Sequence, residues 1–447
     1  MNRERRFDLQ GIRGYAILLV VLFHLWPNAF PNGFVGVDIF FVLSGYFMSS
    51  RFGQKTVDLR SHVQFYCRRL TRLLPMYYLV FPALLYFGTL HLTDDDYEQL
   101  LDETKWSAAL SYNIRGLFQM KDYFSRVHST SYLTHTWSLC CEIQYYLVAP
   151  VFFFFERRKN VFGYFVLLVA LGGSLFTHVY LSGSWSYEML TARVWQFQCG
   201  YVAFRLRDFE APLLSYGSII LLHVFFLPFV LPQIATRLLG VIIATLLISQ
   251  TQKLESTRFL LTNQVIVYLG DISYLWYLFH WITMVLIYYS NAVSGFPEKS
   301  QIIVISLGVS IFAHHCLEKP LMKRSFPSLI FTILAASATV CVFFFVKRHM
   351  NKDFKIGSYN CSSETGSMKS YWSGWTYIPP CAPYEERVKQ AIYLNRRELD
   401  KEWFPKDYTK PEDEEYKCEI EFPHWNGRVV VKWQALNAPR SILSVSV

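Results

Sequence analysis

Residues 10–27 read QGIRGYAILLVVLFHLWP, an apolar run that contains two ionisable side chains, Arg13 and His24. As an α-helix, eighteen residues rise about 27 Å, close to the thickness of a bilayer's hydrocarbon core. The run follows a basic start, Arg3, Arg5 and Arg6, yet it offers no clear small-residue cleavage site. It therefore reads as a retained membrane span and not as a signal peptide. An ionisable group inside a span costs several kcal/mol unless it is paired or faces water, so Arg13 and His24 are functional candidates from the outset. Eleven residues apart, they are almost three helical turns apart and share one face, about 16 Å from each other along the axis.

Working outward, ten further apolar segments lie near 34–51, 73–91, 136–155, 161–181, 187–204, 212–231, 235–250, 266–290, 301–317 and 326–346, and 104–120 could be a re-entrant or interfacial piece. The composition agrees: 52% of residues are hydrophobic, 18% aromatic and 17% charged. The charge is uneven. From Lys347 onward there are 16 Lys+Arg and 14 Asp+Glu, so 30 of the chain's 77 charged residues fall in its last 101 positions. The remainder is roughly 14% charged, well below the ~25% of soluble domains. The expectation is an all-α polytopic membrane domain over 1–346, with about 10–11 spans, followed by a small irregular tail over 347–447. This excludes intrinsic disorder, a disulfide-rich miniprotein and a nucleic-acid binder; the net charge of +9 is a topology signal.

If the N-terminus is cytoplasmic, nineteen Lys and Arg occupy inner loops, among them Arg51, Lys55, Arg60, Arg68, Arg69, Arg72, Arg157 and Arg158. Six occupy outer loops: Lys105, Arg115, Lys121, Arg126, Arg237 and Lys299. The positive-inside rule favours that orientation, and an odd span count then places the tail on the extracytoplasmic or lumenal side, in the plasma membrane or an endomembrane. The tail's cysteines, Cys361, Cys381 and Cys418, suit an oxidising compartment where two can pair. Asn360-Cys361-Ser362 is an N-glycosylation pattern, making Asn360 a candidate acceptor.

Further polar groups stand where they are expensive. The second segment holds Asp38 and Ser44; the fourth begins at His135 and Trp137 and carries Ser138, Glu142 and Tyr146; the ninth holds His280; Glu318 precedes Lys319-Pro320. Sorted by the expected orientation, Arg13, Arg68, Arg69, Arg72 and Glu318 form a basic inner mouth. His24, Asp38, His135 and Glu142 lie in the outer half, with His280 near mid-membrane. This layout fits an enzyme that takes a polyanionic cytosolic donor and brings its reactive end into the membrane. Arginine's planar fork binds phosphate bidentately, and a histidine near neutral pKa can take a proton from a hydroxyl. The same arginines also satisfy the positive-inside rule alone, and intramembrane His and Glu could equally form the proton relay of a transporter or flippase. No internal repeat between the two halves supports that alternative. No cluster of His, Cys or carboxylates has metal-site spacing, and no metal is expected.

Several segments resemble the acyltransferase 3 family of polytopic membrane enzymes. They are Arg13 with ten residues to His24, Gly33–Gly45, Arg68-Arg69-Leu70-Thr71-Arg72 running to Pro75, His135-Thr136-Trp137-Ser138 continuing to Glu142 and Tyr146, Ile272-Ser273-Tyr274 continuing to His280-Trp281, and Glu318-Lys319-Pro320. The resemblance implies transfer of an acyl group, commonly acetyl, from acyl-CoA to a hydroxyl on a carbohydrate, lipid or other acceptor beyond the membrane. On that reading Arg13, Arg68, Arg69 and Arg72 hold the donor's phosphates, His24 is the general base, and Glu142 with His135 orients His24 or the acceptor. Asp38, Ser44, Trp137, Tyr146, His280 and Glu318 line the substrate pocket. Ile282 stands where the family usually has proline, and Cys140-Cys141 replaces a Ser-Val-like pair. The tail resembles the linker ahead of a hydrolase-type domain, but no Gly-Asp-Ser or Gly-Asn-Ser block occurs before Val447, so either a short form without that domain or a truncated sequence is expected.

Overall fold

The computed structural model describes residues 5–52, 59–92, 94–118, 131–158, 160–181, 183–209, 211–250, 259–290, 296–324 and 326–353, and five short strands beyond them. The long helices are α1 (Phe7–Leu25), α2 (Val35–Phe52), α3 (Leu59–His91), α4 (Asp94–Ala108), α5 (Thr136–Arg158) and α6 (Val161–Tyr180). They continue as α7 (Val194–Arg205), α8 (Pro212–Val224), α9 (Gln233–Gln250), α10 (Gln264–Ser290), α11 (Phe296–Ala313) and α12 (Phe326–Asp353). Each expected apolar segment coincides with one of these helices. Among the described residues, eight are long and apolar enough to cross a membrane, from Phe7–Leu25 to Phe326–Phe345. The protein is an all-α, multi-pass membrane protein.

Several segments differ from their expected bounds; α8, for one, ends at Val224 and not near 231. Helix α3 begins at Leu59, well before the apolar run, because the Arg-rich stretch ahead of it continues the same helix. Helix α7 begins only at Val194, after a 3-10 turn at Leu190–Ala192. Arg193 supports that break: its Nε donates to the Tyr187 carbonyl at 2.6 Å, satisfying backbone that no helix serves. The segment near 104–120, expected as a re-entrant or interfacial piece, comprises the end of α4, a single turn at Tyr112–Arg115 and a 3-10 turn at Gly116–Phe118.

Helix α1 lies between two hydrophobic cores. Ile17, Val20 and Val21 join a core with α3, α5 and α10, while Leu9, Ile12, Ala16 and Leu19 join a second with α2, α7, α8 and α9. Such a helix is buried on nearly every side, which is why its middle, Ala16–Phe23, carries no polar side chain. Close approach between helix backbones depends on glycine. A Cβ on Gly45 of α2 would sit 2.0 Å from the Phe197 carbonyl oxygen of α7, and one on Gly200 would sit 2.1 Å from that of Val42. Small residues of this kind let membrane helices pack by van der Waals contact where no hydrophobic drive exists between them. Helices α6 and α12 sit at the periphery, with Val161, Phe162 and Leu168 of α6 and Phe331 and Leu334 of α12 exposed.

Beyond α12, β1 (Met368–Lys369) pairs antiparallel with β2 (Thr376–Tyr377). The strands β3 (Tyr416–Glu421), β4 (Val430–Ala435) and β5 (Leu443–Ser446) form an antiparallel sheet in that order. The tail expected to be irregular thus contains short paired strands.

Candidate active site

His24 occupies the last turn of α1, and His280 lies on α10, the helix on which α1 packs most extensively. Their side chains meet: His24 Nδ1 lies 2.9 Å from His280 Nε2, and the rings are nearly parallel, 15° apart with centroids at 5.2 Å. His280, expected deeper in the membrane, is therefore at the level of His24. Its Nδ1 faces the Trp276 carbonyl at 2.9 Å. Trp281 closes the cluster, edge-on to His24 at 5.0 Å and stacked on His135 at 6.1 Å, with its Nε1 donating to the Ser131 carbonyl. His135 is 1% exposed, and among the described residues neither of its ring nitrogens has a partner at good hydrogen-bond geometry. Three histidines from α1, α10 and the turn before α5 thus form one group, in which His135 and His280 are buried and His24 is half-buried.

Tyr277 links this group to a cavity of about 80 Å³. Its hydroxyl donates to the His135 carbonyl at 2.8 Å and accepts from Ser138 at 2.7 Å. The cavity is lined by Arg13, Ser44, Arg69, Arg72, Ser138, Glu142, Ser273, Tyr274 and Tyr277, with Val37, Phe40, Phe41 and Phe47 as its apolar wall. Ser273, Tyr277 and His280 lie on one stripe of α10, facing α1, so Arg13 and His24 look onto the same stripe, as their spacing predicted. Three guanidinium groups share the cavity with one carboxylate, which gives it the sign of charge that draws an anion. At this size it admits a narrow chain or a small acyl group.

Glu142 accepts short hydrogen bonds on Oε1 from the hydroxyls of Ser44 and Tyr146. It is thus tied to α2 and to its own helix, one turn along, and it contacts the cavity, not His24. Arg69 lies over the rings of Phe47 and Phe65 at 5.2 and 5.5 Å. Arg68 is exposed and outside the cavity lining. Glu318 is 2% exposed in a π-helical turn, His314–Glu318, where His314 Nδ1 meets its carboxylate at 2.6 Å. It lies within electrostatic reach of Arg72, as does Asp271, which pairs with Arg5.

Asp38 belongs to a different cluster. Arg193 Nη1 meets Asp38 Oδ1 at 3.0 Å and Gln196 Nε2 donates to the same atom at 2.7 Å. The Arg193 guanidinium lies over Trp137 and Tyr187, and Arg237 lies over Tyr187 at 4.1 Å. Neither Asp38 nor Trp137 lines the cavity; both lie one residue away from positions that do, Val37 and Ser138. Arg237 had been assigned to an outer loop, yet it is 3% exposed inside α9. Arg193 escaped the sequence reading, although it falls inside the segment 187–204 and the rule that singled out Asp38 applies equally to it.

Among the described residues, no group of three or more His, Cys, Asp or Glu is arranged to hold a metal ion. The direct His24–His280 contact uses two of the nitrogens such a site would need. Asn360, Cys361 and Cys381 lie outside the described residues, and of Cys418 only the backbone is described, opposite Trp433 in the β3–β4 pair.

No solved structure matches the chain. YrhL of Bacillus subtilis, assigned by its name to peptidoglycan O-acetyl transfer, is 33% identical over 189 residues, 39% of this chain and 28% of its own length. BcsY of Komagataeibacter xylinus, named for membrane-bound transacylation, is 31% identical over 214 residues, 46% of this chain and 52% of its own. The peptidoglycan O-acetyltransferase OatA of Listeria monocytogenes is 29% identical over 187 residues, 38% of this chain and 29% of its own. The chain therefore spans about half or less of the length of these relatives. The acyltransferase domain profile of the acyltransferase 3 family matches residues 6–347, which contain the histidine cluster, the arginine-lined cavity and every described helix from α1 to α11, and the chain belongs to that family.

Proposed function

We propose that this protein transfers an acyl group, acetyl in the simplest case, from acyl-CoA to a hydroxyl of a carbohydrate, lipid or other acceptor. The observation that carries the reading is the continuity of the site: a cavity with Arg13, Arg69 and Arg72 at its wall adjoins, through Ser138 and Tyr277, the group of His24, His135 and His280. Relatives named for O-acetyl transfer agree with this chemistry.

The arginines bind the donor's phosphates, and the narrow cavity takes the thioester arm. His24 removes the proton of the acceptor hydroxyl while its oxygen attacks the thioester carbonyl. The new C–O bond forms, the C–S bond breaks, and the CoA thiolate takes up the proton from His24. General base catalysis of this kind contributes about 10²–10⁴-fold. Glu142, held by Ser44 and Tyr146, supplies the one negative charge among the cavity's arginines and limits their mutual repulsion. The N-terminus lies in the cytosol, the arginine end of the cavity opens toward the donor, and the segment beyond Asp353 lies on the far side.

Purified protein in proteoliposomes, given radiolabelled acetyl-CoA and a lipid and glycan extract, should release CoA and label an ester. His24→Ala should lower that rate at least about 100-fold. Near wild-type transfer by this variant would remove His24 from the base role.

A further inference from the structure

The hydrogen bonds around His280 determine which nitrogen of His24 is free. The Trp276 carbonyl can only accept, so the 2.9 Å contact from His280 Nδ1 requires a proton on that nitrogen. A neutral imidazole carries one ring proton, which leaves His280 Nε2 as a lone pair. A second proton on that ring would need a counter-charge, and its ring neighbours are His24, His135 and Tyr277. His280 Nε2 lies 2.9 Å from His24 Nδ1, so His24 must donate there. The proton of His24 is therefore on Nδ1 and its lone pair on Nε2.

We propose that His280 is a positioning residue: it holds His24 in the Nδ1–H tautomer and presents His24 Nε2 as the proton acceptor. This rests on the reading of His24 as the base and assigns His280 a role other than lining the pocket. When His24 Nε2 takes the acceptor's proton, the Nδ1–H bond to His280 becomes charge-assisted and strengthens as the charge forms. The accepted proton is bound at His24 Nε2, the nitrogen not engaged by His280. It stays there until the C–S bond breaks, and then passes to the CoA thiolate. A neutral histidine thus fills the orienting place that a carboxylate takes in a Ser-His-Asp triad, and this is consistent with Glu142 bonding elsewhere.

The test reads the tautomer directly and does not depend on turnover. Protein labelled with ring-¹⁵N histidine in liposomes is examined by solid-state NMR, with His24→Gln assigning the His24 signals. Wild type should show His24 protonated on Nδ1, and His280→Ala should move it to the Nε2–H form or a mixture, since nothing then selects the tautomer. His280→Gln, whose amide oxygen can accept from Nδ1–H, should restore the first form. In acetyl-CoA turnover His280→Ala should lower kcat about 100-fold with KM within twofold, and His280→Gln should recover most of it. An Nε2–H His24 in wild type, an unchanged tautomer in His280→Ala, or a change confined to KM overturns the assignment. Wild-type protein that shows the Nδ1–H form and its dependence on His280 but transfers no acyl group would sink the proposed reaction and leave the tautomer assignment standing.

Discussion

At the scale of single residues, the three adjacent arginines of α3 are not equivalent. Arg69 and Arg72 line the cavity, whereas Arg68 is exposed and outside it. A hydrogen bond to a charged group contributes about 1.5–3 kcal/mol, so Arg69→Ala or Arg72→Ala should each raise the KM for acetyl-CoA about tenfold or more. Arg68→Ala should leave KM within twofold. Equal effects of all three in a steady-state assay would mean that the donor is held by the helix end and not by the cavity. The sequence groups these residues together because the positive-inside rule and a phosphate-binding motif both ask for arginine there, and neither says which face is buried. The Arg13–His24 pair was legible because helical periodicity alone places both on one face. The Ser44 partner of Glu142 was not, since it comes from another helix and only tertiary packing brings it near.

At the scale of elements, long apolar runs marked every spanning helix, but not where the shorter ones begin. Window hydropathy registers transfer into lipid, whereas the start of α7 is set by Arg193 bonding the Tyr187 carbonyl, a local hydrogen bond invisible to any apolar average. Helix pairing was equally hidden, because a glycine in a span carries no label saying whether it is an interface. Gly45 and Gly200 are interface positions, since an added Cβ meets backbone oxygen near 2 Å in both cases. Gly172 of α6, with nothing within 4 Å, is not. Overpacking of this kind costs about 1–3 kcal/mol, so Gly45→Ala should lower the melting temperature in detergent by several degrees. Gly172→Ala should leave it unchanged or raise it, alanine being the better helix former. A Gly45→Ala protein as stable as wild type would mean that α2 and α7 separate at little cost.

At the scale of the molecule, α1 couples the two cores: it carries Arg13 at the cavity and His24 in the histidine group while burying its other faces on both sides. In the proposed reaction, donor binding and proton transfer would thus sit on one element, at different depths, as a reaction between a cytosolic donor and an acceptor beyond the membrane requires. That arrangement depends on which way the bundle is inserted. The bias of Lys and Arg toward one set of loops favours a cytosolic N-terminus, and correcting Arg237 from loop to buried helix position sharpens it, because one cation fewer stands against the rule. With an odd number of spans, the proposed orientation puts the segment beyond Asp353 in the lumen, with Asn360 in a glycosylation pattern. Sealed microsomes with their cytosolic face outward should therefore protect that segment from added protease until detergent is present. Glycosidase treatment should increase its gel mobility, and Asn360→Gln should abolish the shift. Digestion of the segment in intact microsomes, together with protection of an N-terminal epitope tag, would invert the bundle, moving the arginine-lined cavity away from cytosolic acyl-CoA, and the proposed donor would have to be abandoned with it.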